Sequence, residues 1–187
     1  MAQKRKNWNG LISGFKASDL VFLDESGCNT DMTRRYAYSL GGSRAVDSAP
    51  LSKPKNTTIL SSIRLDGTLR YTTFSGETTV ERFKRYLETD LLPHLNGNSV
   101  LIMDNMKSYH ARAVKNLLDS SGVRYIYLPP YSPDLNPIEK LWSKVKAFLR
   151  KFKARTLDAL PNAIQNAFHS VTVSDCSGWF RFCGYAL

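Results

Sequence analysis

Two short, unbroken apolar runs, each closed by an aspartate, constrain this chain more than any other feature. Leu20 to Leu23 stops at Asp24-Glu25-Ser26-Gly27, and Ser99-Val100-Leu101-Ile102-Met103 stops at Asp104. Runs of this length bounded by turn residues suit strands covered on both faces, the usual condition of a parallel sheet. After Asp104 the spacing predicts a helix from about Ser108 to Ser121, with Val114, Leu117 and Leu118 inward and Gly122 as its stop. A third strand, VRYIYL, follows. Strand–helix–strand connections make parallel neighbours, because two parallel strands need a long crossover between them.

An antiparallel component joins them. TTILSSIRL and TLRYTTF flank Asp66-Gly67, a dipeptide that takes the positive φ angles of a two-residue hairpin turn. Thr78-x-x-Glu81 then reads as a capping box opening a helix with Val80, Phe83, Leu87 and Leu91 on one face before Pro93. From Pro137 to about Lys153 another stripe forms from Leu141, Val145, Phe148, Leu149 and Phe152. Two shorter helices finish the chain, the last opening at Thr172-x-x-Asp175 and carrying Trp179, Phe180 and Phe182. The expected fold class is α/β, a mixed sheet flanked by helices. One domain accounts for it: a basic, loosely structured lead-in over 1–18, a core over 19–155 with a polar loop insertion at about 29–56, and a helical extension over 156–187.

Charge and composition narrow the partners. A net charge of +10 favours a polyanion, nucleic acid ahead of a membrane surface. The apolar runs are too short to span a bilayer, and the basic N-terminus MAQKRKNWNG lacks the apolar stretch of a secretory signal. Cys28, Cys176 and Cys183 make an odd count without CxxC spacing, which suits a reduced cytoplasmic chain without structural zinc.

Asp24 and Asp104 are expected at one edge of the sheet, where ligands collect beyond the carboxyl ends of parallel strands. Glu139, in the first turn of the later helix, can face them. Three such carboxylates repel one another unless a cation lies between them. Hard oxygen ligands suit Mg²⁺ or Mn²⁺, and two ions about 3.5–4 Å apart serve in-line phosphoryl transfer. A plainer reading stays open beside this one. Either aspartate can simply start a turn. With Asn136 as N-cap and Pro137 at the first helical position, Glu139 falls where it would close a capping box.

Asp24 within LDES, Asp104 within MDN and Glu139 within PPYSPDLNPIE together resemble the DDE transposases of the mariner superfamily, in its bacterial insertion-sequence branch (the insertion sequence 630 group). In that family 34 residues commonly separate the second Asp from the Glu, and positions 105 to 138 match. The resemblance covers nearly all of residues 19–187. It implies a ribonuclease H-like fold, metal-dependent hydrolysis at transposon ends, and attack of the freed 3′-hydroxyl on target DNA. Asp24, Asp104 and Glu139 take the catalytic and metal-binding roles on this basis. The loop at 29–56 sits where mariner-type enzymes clamp a partner subunit, which implies a homodimer. Such enzymes read their DNA ends with an N-terminal helix-turn-helix, which a basic lead-in of 18 residues cannot supply, so an upstream helix-turn-helix product is expected as a partner. Many relatives carry His five residues after the second Asp. Here that position is Tyr109, and His110 is expected to be a solvent-facing residue at a helix start.

The run KLWSKVKAFLRKFKAR, 140 to 155, holds seven basic residues and no acid. Lys140, Lys144, Lys146, Arg150, Lys151 and Lys153 are expected mostly toward solvent, with Arg34 and Arg35 in the insertion as further contacts to double-stranded DNA. The plain alternative is a solvated helix face. A ribonuclease H-like nuclease without strand transfer, and an inactive DNA-binding remnant, are the competing functions. The implied location is the bacterial cytoplasm, with the nucleoid.

Overall fold

A computed structural model of the chain describes residues 2–34, 36–48, 50 and 54–185. Its centre is a five-stranded mixed sheet: β1 (Leu20–Cys28), β2 (Thr57–Arg64), β3 (Leu69–Ser75), β4 (Val100–Met103) and β5 (Arg124–Tyr127), in the order β3-β2-β1-β4-β5. β1, β4 and β5 run parallel, with Leu20 opposite Val100 and Val100 opposite Arg124. β2 and β3 are antiparallel, but the hairpin turns through three residues, Leu65, Asp66 and Gly67, rather than two. Arg64 N–H bonds the Thr68 carbonyl, Gly67 N–H bonds the Arg64 carbonyl, and Gly67 (φ +86°) but not Asp66 takes a positive φ.

The strand closed by Asp24 is longer than its apolar run. β1 continues to Cys28 because β2 pairs with it antiparallel as far as Cys28–Thr57, while β4 leaves after Leu23–Met103. Asp24 therefore lies inside a strand but at the end of the parallel ladder.

Among the described residues six α-helices surround the sheet: α1 (Ala2–Ile12), α2 (Val80–Tyr86), α3 (Arg112–Ser121), α4 (Ile138–Phe152), α5 (Ala159–His169) and α6 (Val173–Phe182). Each sheet face has its own core. Val21, Leu23, Leu101 and Met103 pack with Phe83, Tyr86, Val114 and Leu118 of α2 and α3. Leu20, Phe22, Val100 and Ile102 face the other way, into Leu141, Val145, Leu149, Ile164 and Phe180 of α4, α5 and α6. This period-two alternation decides which way the aspartates point.

Four local expectations are corrected. The lead-in is a helix rather than loose chain, and its Trp8 is buried in the α4-side core, whose apolar surface pulls the segment onto the domain. α2 is capped by Thr79, whose hydroxyl accepts from Arg82 N–H, one residue later than the Thr78 box; past Tyr86 it loosens into a π-type turn over Leu87–Leu91. α3 begins at Arg112, four residues late, after a succession of turns through Tyr109 and His110. In α4, Phe152 is 46% exposed and Trp142 takes the buried place.

Gly122 does end α3 in a left-handed conformation, φ +69°. The Thr172–Asp175 capping box forms as the spacing predicts. Among the described residues no helix is long and apolar enough to cross a membrane, and Cys28, Cys176 and Cys183 are free and buried.

Candidate active site

Since Phe22 and Ile102 point toward α4, Asp24 and Asp104, two residues on, inherit that face. Leu23 and Met103 are register partners, so the two carboxylates leave neighbouring strands side by side. Both line a cavity of about 450 Å³, walled by Asn105, Met106, the segment from Leu128 to Pro133, Asn136 and Glu139.

The strands hold the aspartates in different surroundings. Asp24 is only 8% exposed, and burial, reinforced by the charges of Asp104 and Glu139, pushes its carboxyl up to about 7. The Glu25 backbone and the Trp142 indole, which donates from Nε1 to Asp24 Oδ2 at 3.1 Å, act against that rise. Asp104 is half-buried and also raised by burial, while Met106 N–H, 3.0 Å from its Oδ1, and the nearby His110 act against the rise. His110 is not simply solvent-facing: its ring stacks on Tyr127 with centroids 4.1 Å apart.

Glu139 projects from the first turn of α4 and is exposed. The capping box does not form. Asn136 N–H is taken by the Pro133 carbonyl at 3.1 Å, Glu139 N–H reaches the Asn136 carbonyl rather than its side chain, and Asn136 Oδ1 has no partner. A helical turn over Pro133–Leu135 explains this, because it satisfies the backbone that the box would have served. The Glu139 carboxylate is thus free of structural duty. Glu139→Gln is expected to leave stability within about 0.5 kcal/mol of the parent, checked by urea unfolding.

The proline segment is tied at both ends. Leu128 N–H bonds the Met103 carbonyl at 2.8 Å, Asn105 Nδ2 bonds the Leu128 carbonyl at 2.5 Å, and Tyr185 hydroxyl bonds the Leu135 carbonyl at 2.5 Å. With φ restricted at its prolines, the segment carries α4 from the end of β5 back across the mouth of the cavity.

Trp142 was not foreseen. It lies three residues after Glu139, so both share one side of α4, and a buried indole N–H needs an acceptor; that spacing was the available signal. Trp142→Phe is expected to keep the fold, since an aromatic ring still fills most of the site, with a small cavity where the second ring lay. It should cost about 1–3 kcal/mol in urea unfolding through the lost bond to a charged group, and loosen the Asp24 carboxylate.

The basic residues do not form one open face. Among those of α4, Lys151 is exposed and the others are partly covered. Lys140 Nζ sits 3.8 Å from the centroid of the Phe182 ring. Lys144 pairs with Asp175 at 2.5 Å, and Lys153, which ends α4 at φ +55°, pairs with Asp47 at 2.6 Å. Lys146 and Arg150, one turn apart, line a separate cavity of about 320 Å³ where β1 meets the insertion, beside Gly27, Asn29 and Thr33. Arg34 is exposed, and Arg35 lies outside the described residues. A further arginine was missed: Arg155 donates to the carbonyls of Thr30 and Met32 at 3.0 and 3.1 Å, pinning the start of the insertion.

A five-stranded sheet in this order, with acidic residues at the end of its central parallel pair, is a ribonuclease H-like fold. A family model described as DDE superfamily endonuclease matches residues 19–161, and the chain belongs to that family. It is similar to the transposable element Tc1 transposase of Caenorhabditis elegans, 28% identical over 97 residues, which is 50% of this chain and 36% of that protein. In structure it is similar to the Mos1 transposase paired-end complex with left transposon end (TM-score 0.79, 20% identity, covering 95% of this chain and 57% of that one). It is also similar to the Mos1 transposase catalytic domain with raltegravir and Mg (TM-score 0.71, 18% identity, covering 95% and 87%). The match thus spans just over a third of the Tc1 transposase and somewhat more than half of the longer Mos1 chain.

Proposed function

We propose that this chain is the catalytic domain of a transposase of the Tc1/mariner kind, from the bacterial insertion-sequence branch. It cuts DNA at transposon ends and joins the freed 3′ ends to target DNA. The single observation that carries this reading is that Asp24 and Asp104 leave paired strands side by side and open, with Glu139, onto one cavity. Residues 1–18, 19–155 and 156–187 act together as one domain, with 29–56 as its insertion.

Asp24, Asp104 and Glu139 would hold Mg²⁺ or Mn²⁺, in a pair of ions. The donor set fits such ions: all three offer carboxylate oxygens, and the raised Asp24 carboxyl sits in a carboxylate-rich pocket that a cation would relieve. Among the described residues no three acidic, His or Cys side chains form a ready-made cluster, so Glu139 must turn inward from its exposed position. When bound, such ions activate an attacking oxygen and stabilise the leaving one. The chain's own part is alignment: Trp142 fixes Asp24, Met106 N–H orients Asp104, and the proline segment carries Glu139 to the mouth of the cavity.

Double-stranded DNA, as transposon end and as target, is the expected partner. Lys151, Lys146, Arg150 and Arg34 are the better contacts, because Lys140, Lys144 and Lys153 already have partners. Tyr36, Tyr38, Leu40 and Val46 of the insertion are exposed by 87–105%, which supports a homodimer closed through that loop. An upstream helix-turn-helix product would supply end recognition, and the bacterial nucleoid would be the place of action.

The test is incubation of purified protein with Mg²⁺ or Mn²⁺ and DNA carrying candidate terminal repeats. Cutting followed by joining supports the proposal. Hydrolysis without joining identifies a nuclease, and DNA binding without either reaction identifies an inactive remnant.

A further inference from the structure

Tyr131 stands at the rim of the carboxylate cavity with 85% of its surface exposed. Its backbone is left-handed, φ +55°, a conformation that costs a residue with a side chain and that glycine adopts freely. Among the described non-glycine residues only Lys153 shares a positive φ, and there the left-handed turn ends α4. Tyr131 ends no helix and buries little of its ring, so no packing in the domain offsets the strain. Strained residues of this kind cluster at ligand-binding sites.

The surroundings fix the backbone at this residue. Pro129 and Ser132 are buried on either side, and Pro130 and Pro133 stiffen the chain. The same cavity contains a second group that the domain leaves unused. Asn136 is 4% exposed, and its Oδ1 has no hydrogen-bond partner. A buried amide oxygen without a donor marks a place where a ligand or water completes the structure. A flat exposed ring above a pocket of acids suits a nucleotide whose phosphate is drawn there by the cations those acids would hold, on a chain whose charge of +10 attracts DNA.

We propose that Tyr131 is a stacking platform for an unpaired nucleobase of the DNA strand whose phosphate enters the cavity of Asp24, Asp104 and Glu139. This rests on the DNA-cutting reading above. Because every base offers a π-face, the contact is tolerant of sequence and selects for a frayed strand over a closed duplex. The left-handed backbone at Tyr131 sets where the exposed side chain leaves the chain at the rim of the cavity.

The experiment uses the full chain with Ca²⁺ and two DNA probes: a blunt duplex, and the same duplex with a forked end carrying 2-aminopurine in the unpaired strand. The parent and Tyr131→Phe are expected to bind the forked probe alike and to quench its fluorescence. Tyr131→Ala is expected to bind it about tenfold more weakly without quenching, while its affinity for the blunt duplex is unchanged. Tyr131→Gly should lose the forked-end preference yet melt at a higher temperature than the parent, a pairing of signs that a purely structural tyrosine would not give. Equal binding and equal quenching by parent and Tyr131→Ala would overturn the stacking role and leave the DNA-cutting reading standing. If the parent binds neither probe, both fall together.

Discussion

Asp104→Ala is expected to abolish cutting and joining of DNA by the chain while leaving its fold and its affinity for DNA nearly unchanged. Asp104 follows β4 directly, beside the strand that carries Asp24, and its Oδ1 is aimed by Met106 N–H. It is half-buried, so removing it relieves the repulsion of Asp24 and costs one backbone bond and the weak attraction of nearby His110. Those effects oppose each other, and stability should move by less than about 1 kcal/mol. If Asp104 holds metal as proposed, its loss should remove several kcal/mol of charge stabilisation from the reaction, on the order of a thousandfold or more in rate. Glu139→Gln should behave the same way, because its side chain has no structural duty to confuse the result. The measurement is gel-resolved strand cleavage in Mg²⁺ and in Mn²⁺, with a binding isotherm on the same DNA. Full activity in Asp104→Ala would remove the site assignment; inactivity accompanied by unfolding would leave Glu139→Gln as the deciding variant.

How much of this was legible depended on how local the cause was. The buried strands were readable because an unbroken apolar run beside turn residues has few other solutions, and the facing of Asp24 and Asp104 follows from the two-residue period of those runs. The hairpin at Asp66-Gly67, the stop at Gly122 and the Thr172–Asp175 box were readable for the same reason: each is decided within a few residues. What failed was decided by partners far along the chain. β1 runs on to Cys28 because β2, some thirty positions later, holds it there. The N-terminal residues form a docked helix because Trp8 finds the far core. The capping box at Asn136 looks sound in isolation, but the helical turn before it takes the backbone group it needs. The basic stripe of α4 seemed solvated because Asp175 and Asp47, which bind two of its lysines, lie in other elements. Trp142 bridges both kinds of cause, since its spacing from Glu139 is local but its acceptor is 118 residues away in sequence.

That acceptor underlies the other large prediction, for Asp24→Asn. In the metal-free protein this substitution is expected to raise stability at pH 8 by roughly 2–4 kcal/mol, because a shift from 3.8 to about 7 means the folded chain resists ionising this carboxyl. Between about pH 4 and pH 7 the folded state keeps a proton that the unfolded state has released. Stability therefore falls as pH rises through that window and levels off above it. Asn has no proton to lose, so its contribution is flat, and its amide oxygen can still accept from Trp142 Nε1. Divalent metal should reverse the order. Mg²⁺ or Mn²⁺ held by the carboxylates would stabilise the parent in proportion to occupancy, flatten its pH profile and raise its melting temperature, while Asp24→Asn should show little or no shift. The substitution that strengthens the metal-free fold is thus expected to be the one that abolishes the use of the site. Urea unfolding of parent and variant across pH 4–8, with thermal melts in EDTA and in Mn²⁺, makes the comparison. A variant no more stable than the parent at pH 8 would contradict the buried-charge account, and an undiminished Mn²⁺ shift in Asp24→Asn would take the metal away from Asp24.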